Sequence, residues 1–300
     1  MSSKQKVLGL FYIDFFFIIV FFLLILLAVA VSTLLERNFL ALGQIRLGPN
    51  KVSFLGTLQM ILDGIKLFLN EVLIPIRSED IFYLIMPFFR FILGLFVFLL
   101  IYFYNFFYWS WSFIFIFLQV GYSVFSLFIL SYLRKSKYRF LGSLRLAAVT
   151  LAFDLIFILV SLCLININEV YRLQVLWLTI FFPENYFFLL LTVLPELSRS
   201  VFDFTERERE LVSGANTELR RVFFILYFLY EYGQIIFYVI FISRSILSLR
   251  GLIEVISLGI LFYVRAVYPR YRIDKIIALF WLRLLLWKLI FLFIIWLIPI

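Results

Sequence analysis

The sequence predicts an all-α polytopic membrane protein, with eight transmembrane helices and an interfacial amphipathic helix in the first inner loop. Composition is the first reason. Of 300 residues, 65% are hydrophobic and 15% charged, with mean hydropathy +1.10, whereas soluble domains average roughly 45–50% apolar and ~25% charged. The second reason is that apolar stretches long enough to cross a bilayer recur from end to end, so residues 1–300 form a single integral membrane domain with no room for a soluble one. The third is that Lys and Arg gather in alternate connecting segments, the mark of membrane topology.

The elements follow in order from the need for roughly 20 apolar residues per span. Met1-Ser-Ser-Lys-Gln-Lys6 leads into an apolar run read as the first span, near 10–35. That run exceeds the h-region of a signal peptide, and no small-residue cleavage pattern follows it. The inner loop 36–80 contains the turn signal Gly48-Pro49-Asn50 and then Gln59, Asp63, Lys66 and Asn70 among Phe54, Leu55, Leu58, Ile61, Leu62, Ile65, Phe68 and Leu69. This stripe predicts an amphipathic helix of seventeen residues along the membrane interface, roughly 25 Å long at 1.5 Å per residue. Its pattern suits a surface anchor and a gate for a lipid-like substrate equally well. Further spans fall near 81–104, 109–133, 143–166, 173–194, 221–243, 251–266 and 276–298, with inner loops 134–142, 195–220 and 267–275.

Eighteen basic residues lie in or beside the loops after the first, third, fifth and seventh spans, against five on the opposite side. Both termini are therefore expected outside and the basic loops inside. This bias also accounts for the net charge of +9 without nucleic acid. The 41 Phe and 17 Tyr against nine Ala, 12 Gly and 7 Pro favour A/T-rich codons, as in an organelle genome.

Missing residues exclude much chemistry. There is no His, and Cys163 is the one cysteine, so histidine-held haem, iron–sulfur clusters, zinc sites and Ser-His-Asp catalysis lack their ligands or base. The glycines form neither G-x-G nor a phosphate loop. No residue is assigned as catalytic or as a metal ligand, and if the protein takes part in redox chemistry a partner must carry the electrons.

Charges at membrane depth need partners or a water-filled cavity. Asp14, Arg90, Arg283 and Lys288 lie close enough to span ends to snorkel. Asp154 and Glu231 lie near the middle of their spans, and each suits either proton handling or a buried ion pair. The densest acidic cluster is Glu196, Asp203, Glu206, Glu208, Glu210 and Glu218, interleaved with Arg199, Arg207, Arg209, Arg220 and Arg221. It reads either as a solvated loop or as a relay of crowded carboxylates that raise one another's pKa.

Three blocks resemble the subunit-1 (bacterial H-subunit) family of respiratory complex I, NADH:ubiquinone oxidoreductase. They are Glu36-Arg37 with Gln44-Ile-Arg46-Leu-Gly48-Pro49-Asn50, Gln59, Asp63, Lys66 and Glu71; Phe202-Asp203 through Glu218 with Glu231-Tyr232; and Arg265-Ala-Val-Tyr-Pro269-Arg270-Tyr-Arg272-Ile-Asp274. The resemblance implies a core membrane subunit that carries no redox centre, with FMN and iron–sulfur clusters in partner subunits and ubiquinone as substrate. It implies quinone-chamber roles for Glu36, Arg37 and Arg46, and proton-coupling roles for Asp154, Glu196, Arg199, Asp203, Glu206, Glu208, Glu210, Glu231, Arg265 and Arg272. The implied partners are the other complex I subunits and membrane lipids. The implied location is the mitochondrial inner membrane, with both termini on the intermembrane-space side, or alternatively a bacterial plasma membrane. The chain departs from the family pattern at Asn38, Ala215 and Leu219, at Arg207 and Arg209 between the acids, and at Asp154 where Glu is usual. Alternatives are the equivalent subunit of a membrane-bound hydrogenase-like complex, a stand-alone proton-coupled transporter, and a scaffold that has lost coupling.

Overall fold

The computed structural model describes residues 3–53, 56–69, 80–104, 112–133, 137–168, 183–196, 222–246, 250–268 and 273–297. Every regular element among them is a helix, the form in which a backbone satisfies its own polar groups where water is absent. In chain order these are α1 (Ser3–Gly43), α2 (Gln59–Leu69), α3 (Asp80–Tyr104), α4 (Ser112–Leu133), α5 (Lys137–Asn168), α6 (Pro183–Glu196), α7 (Val222–Ile246) and α8 (Arg250–Val267). The chain ends with α9 (Ile273–Ala278), which runs through a π-helical turn (Leu279–Leu284) into α10 (Leu285–Leu297).

Four helical stretches among the described residues are long and apolar enough to cross a membrane: Phe16–Gly43, Phe140–Cys163, Val222–Ser243 and Asp274–Ile294. Shorter apolar helices occupy Ile85–Phe98 and Glu184–Pro195. The protein is thus an all-helical membrane protein.

α1 is 41 residues long and continues past the expected first span, because nothing between Leu34 and Leu42 breaks a helix. Its last turns lie against α8, with Phe39 and Phe262 rings 5.9 Å apart and Ala41 buried. α2 differs from expectation by being shorter, with eleven residues. Before it, Gly56 has φ +71°, and a Cβ there would lie 2.1 Å from the Pro49 carbonyl oxygen, so the chain turns tightly where the stripe alone suggested helix. The Ser53 hydroxyl meets that of Thr57 at 2.9 Å and accepts from the Leu58 amide at 3.1 Å, holding the turn that leads into α2.

α7 packs against α3, α8 and α1, while α5 packs against α4, α6 and α10. Aromatic rings fill the centre: Phe237 meets Phe98 at 6.4 Å, and Phe157 meets Tyr238 at 5.8 Å and Phe241 at 5.6 Å. Gly94 lets α3 approach α7, since a Cβ there would stand 2.8 Å from the Tyr230 ring. The outward faces carry exposed Leu23, Leu24, Leu27, Leu282, Ile290 and Phe293, as expected where the surrounding solvent is lipid.

Candidate functional site: a buried acid–base cluster

Glu36 opens the extension of α1 beyond residue 35, two helical turns before Gly43, where α1 contacts α7 and α8, and is 3% exposed. A carboxylate so enclosed needs compensation. It receives a hydrogen bond from the Tyr232 hydroxyl of α7 at 2.5 Å and forms an ion pair with the Arg265 guanidinium of α8. Tyr232 is itself buried, and the Arg265 side chain is 22% exposed. One residue from each of the three sequence blocks therefore meets in a single cluster.

A second polar group lies beside it on α1. The Arg37 guanidinium, on the exposed side, donates to Asp63 of α2 at 2.7 Å, and the Gln59 amide donates to the other Asp63 oxygen at 2.9 Å. The polar stripe of α2 is thereby tied to α1, while Ile61, Leu62, Ile65 and Phe68 remain exposed. Arg46 is also exposed, in the turn after α1.

Glu231 precedes Tyr232 on α7 and is half-buried. It is close enough to act electrostatically on Arg90 of α3. Arg90 is a correction to the snorkelling expectation: it is buried, with its guanidinium 4.5 Å from the Tyr227 ring centre and 4.4 Å from that of Tyr230. Two rings on α7 offer a cation more than the distant interface does.

Asp154 is buried in α5, next to Phe153, whose ring meets Phe280 of the π-helical turn edge-on at 4.3 Å. Lys288 is the other correction. It is fully buried in α10, donating to the Asn185 side-chain oxygen of α6 at 2.7 Å and lying 4.0 Å from the Phe188 ring centre. Arg283, by contrast, is exposed.

Among the expected coupling residues, Arg199, Asp203, Glu206, Glu208, Glu210 and Arg272 lie outside the described residues. Glu196 closes α6, but its side chain is likewise outside the description, as is that of Asp14. Sequence reasoning passed over Asn185 and treated Tyr232 only as part of a motif. The signal for Asn185 was an amide followed at once by an apolar run, where a polar side chain needs an interhelical partner.

Helices long and apolar enough to span a membrane, with ionisable side chains buried at their mutual contacts, define a polytopic membrane protein. The sequence matches the NADH dehydrogenase family over residues 16–296, and the chain belongs to that family of complex I membrane subunits. It is 35% identical over 283 residues to NADH-ubiquinone oxidoreductase chain 1 of Artemia franciscana, a match covering 90% of this chain and 93% of that one. The same-named protein of Locusta migratoria is 37% identical over 281 residues, covering 89% and 90%. That of Lampetra fluviatilis is 35% identical over 279 residues, covering 85% and 86%.

Proposed function

We propose that the chain forms part of the ubiquinone chamber of complex I and couples quinone reduction to proton translocation. It works in the mitochondrial inner membrane with the other complex I subunits. In this reading the chain is one domain of eight spans, α2 lies in the interface, and both termini face the intermembrane space. FMN and the iron–sulfur clusters belong to partner subunits, and this chain acts on the quinone without holding a redox centre. The observation that carries the reading is the meeting of Glu36, Tyr232 and Arg265 beside the helix pair α1–α2.

The physical argument concerns charge. Quinone takes two electrons from a partner's cluster and two protons to become quinol, so charge appears and is neutralised beside the chamber wall. In this reading Arg37 and Arg46 are exposed at that wall with Glu36 enclosed just behind it, and the exposed apolar face of α2 lies toward the bilayer from which an isoprenoid tail enters. A charge change there alters the balance within the Glu36–Arg265 pair. Tyr232 links the pair to the neighbouring Glu231, and Asp154 with the acidic segment Glu196, Arg199, Asp203, Glu206, Glu208, Glu210 and the basic Arg272 extend the path.

The test is Glu36→Gln, which keeps a hydrogen-bond acceptor for Tyr232 while removing the charge. In assembled complex, inhibitor-sensitive NADH:quinone reduction is expected to fall at least about tenfold, a barrier change of ~1.4 kcal/mol. NADH oxidation by ferricyanide, which bypasses the quinone, is expected to be unchanged. Normal quinone reduction in this variant would refute the chamber assignment. For Glu231→Gln the expected result is quinone reduction with impaired pumping, and normal pumping would remove Glu231 from the relay.

A further inference from the structure

α6, α8 and the stretch from α9 through the π-helical turn do not close against one another. Between them lies an open cleft of about 830 Å³, within the roughly 300–1,000 Å³ range of sites that hold single small ligands. Its walls are Leu190 and Leu194 of α6, Ile260 and Val264 of α8, and Leu279 of the π-helical turn. The π-helical turn helps keep it open: Phe280 turns inward to meet Phe153, while Leu279 and Leu282 remain exposed along the trough.

The polar rim has one sign. Lys275 and Arg283 both line the cleft, and no carboxylate does among the described residues. They are eight residues apart on one continuous helical stretch, about 12 Å along the axis at α-helical rise, a gap that two long cationic side chains can close on a single phosphate. Arg283 is exposed within a stretch apolar enough to span the membrane, and no described residue supplies it with a counter-ion. An uncompensated guanidinium facing hydrocarbon is costly. An apolar trough continuous with two cations is the complement of an acyl chain joined to a phosphodiester.

We propose that this cleft is a binding site for one anionic phospholipid, its phosphate drawn in between Lys275 and Arg283 and an acyl chain lying along the α6–α8 trough. The proposal requires only that the chain is in a membrane, and so stands apart from the quinone assignment. A net negative headgroup is expected because the two cations on the rim outweigh the Tyr186, Phe187 and Tyr268 rings as a headgroup partner, and no described carboxylate lines the cleft to attract a choline or ethanolamine cation. An apolar partner helix would leave Arg283 without an anion.

The test uses purified, delipidated complex in phosphatidylcholine vesicles carrying photoactivatable phosphatidylglycerol or photoactivatable phosphatidylcholine, each with its reactive group on the acyl chain. Labelled peptides are identified by mass spectrometry. Phosphatidylglycerol is expected to label the peptides bearing Leu190 and Leu279 more strongly than phosphatidylcholine does. Arg283→Gln or Lys275→Gln is expected to reduce that labelling about fivefold, the equivalent of ~1 kcal/mol. Equal labelling by the two lipids would overturn the proposal. So would displacement by a quinone analogue, or crosslinks from the cleft to a partner subunit's helix in place of lipid. The two-lipid comparison needs no variant, so a substitution that impaired assembly would leave the test intact.

Discussion

The protein buries a positive charge in two different ways. Where α1, α7 and α8 meet, Arg265 faces the carboxylate of Glu36, and Tyr232 donates to that carboxylate. Where α6 and α10 meet, Lys288 has a neutral amide and two aromatic faces, Phe188 at 4.0 Å and Phe291 at 4.9 Å, with the exposed Glu184 acting on it electrostatically but forming no ion pair with it. The first arrangement holds two opposite charges whose balance shifts when a charge appears nearby. The second holds one charge against fixed dipoles and quadrupoles, which polarise little and exchange no proton. A pair suits coupling, and a cation in an amide-and-ring cage suits fixing one helix to another.

The most disruptive way to test the contrast is Glu36→Ala. It strands the Tyr232 hydroxyl and the largely buried Arg265 guanidinium, and removing one partner of a fully buried pair costs about 3–5 kcal/mol. Little assembled complex is expected on native gels. Glu36→Gln with Arg265→Met removes both charges and should recover assembly while leaving quinone reduction impaired. Recovery of both would mean that the pair serves packing alone.

Lys288→Met comes next in size. No buried opposite charge is stranded, since Glu184 is exposed, but Asn185, 1% exposed, loses the donor to its oxygen, and an unsatisfied buried polar group costs about 1–3 kcal/mol. A lowered Tm is expected with turnover per assembled complex unchanged. Adding Asn185→Leu removes the orphaned amide and should restore most of the loss. If Lys288→Met instead abolished pumping in fully assembled complex, the two regions would not differ as argued.

These contrasts show what the sequence could carry. The helices α3 (Asp80–Tyr104) and α7 (Val222–Ile246) lie on the apolar runs near 81–104 and 221–243, because an apolar run is a property of the local chain. The shortened α2 was less legible, since the tight approach of Gly56 to Pro49 depends on backbone path, which a hydrophobic stripe does not encode. Arg90 and Lys288 were misread for a related reason. Distance from a span end measures how readily a side chain reaches water, whereas their positions are decided by Tyr227, Tyr230, Asn185 and Phe188 on other helices. Glu36 and Arg265 were legible as site candidates through the resemblance, but their contact across 229 positions is a tertiary fact.

The smallest expected effect on stability belongs to Arg37→Gln. Its pair with Asp63 spans α1 and α2 much as the Glu36 pair spans α1 and α8, yet the side chains are 50% and 35% exposed. An exposed ion pair contributes about 0–1 kcal/mol, and Gln59 still donates to Asp63 after the substitution, so Tm is expected to stay nearly constant. If Arg37 holds α2 in the orientation that admits quinone, KM for quinone should rise while ferricyanide reduction is unchanged. A rise in KM at constant Tm separates the placing of α2 from the stability of the bundle. A large fall in Tm would show instead that Arg37–Asp63 behaves as a buried pair, erasing the distinction between the exposed side of α1 and the Glu36 side.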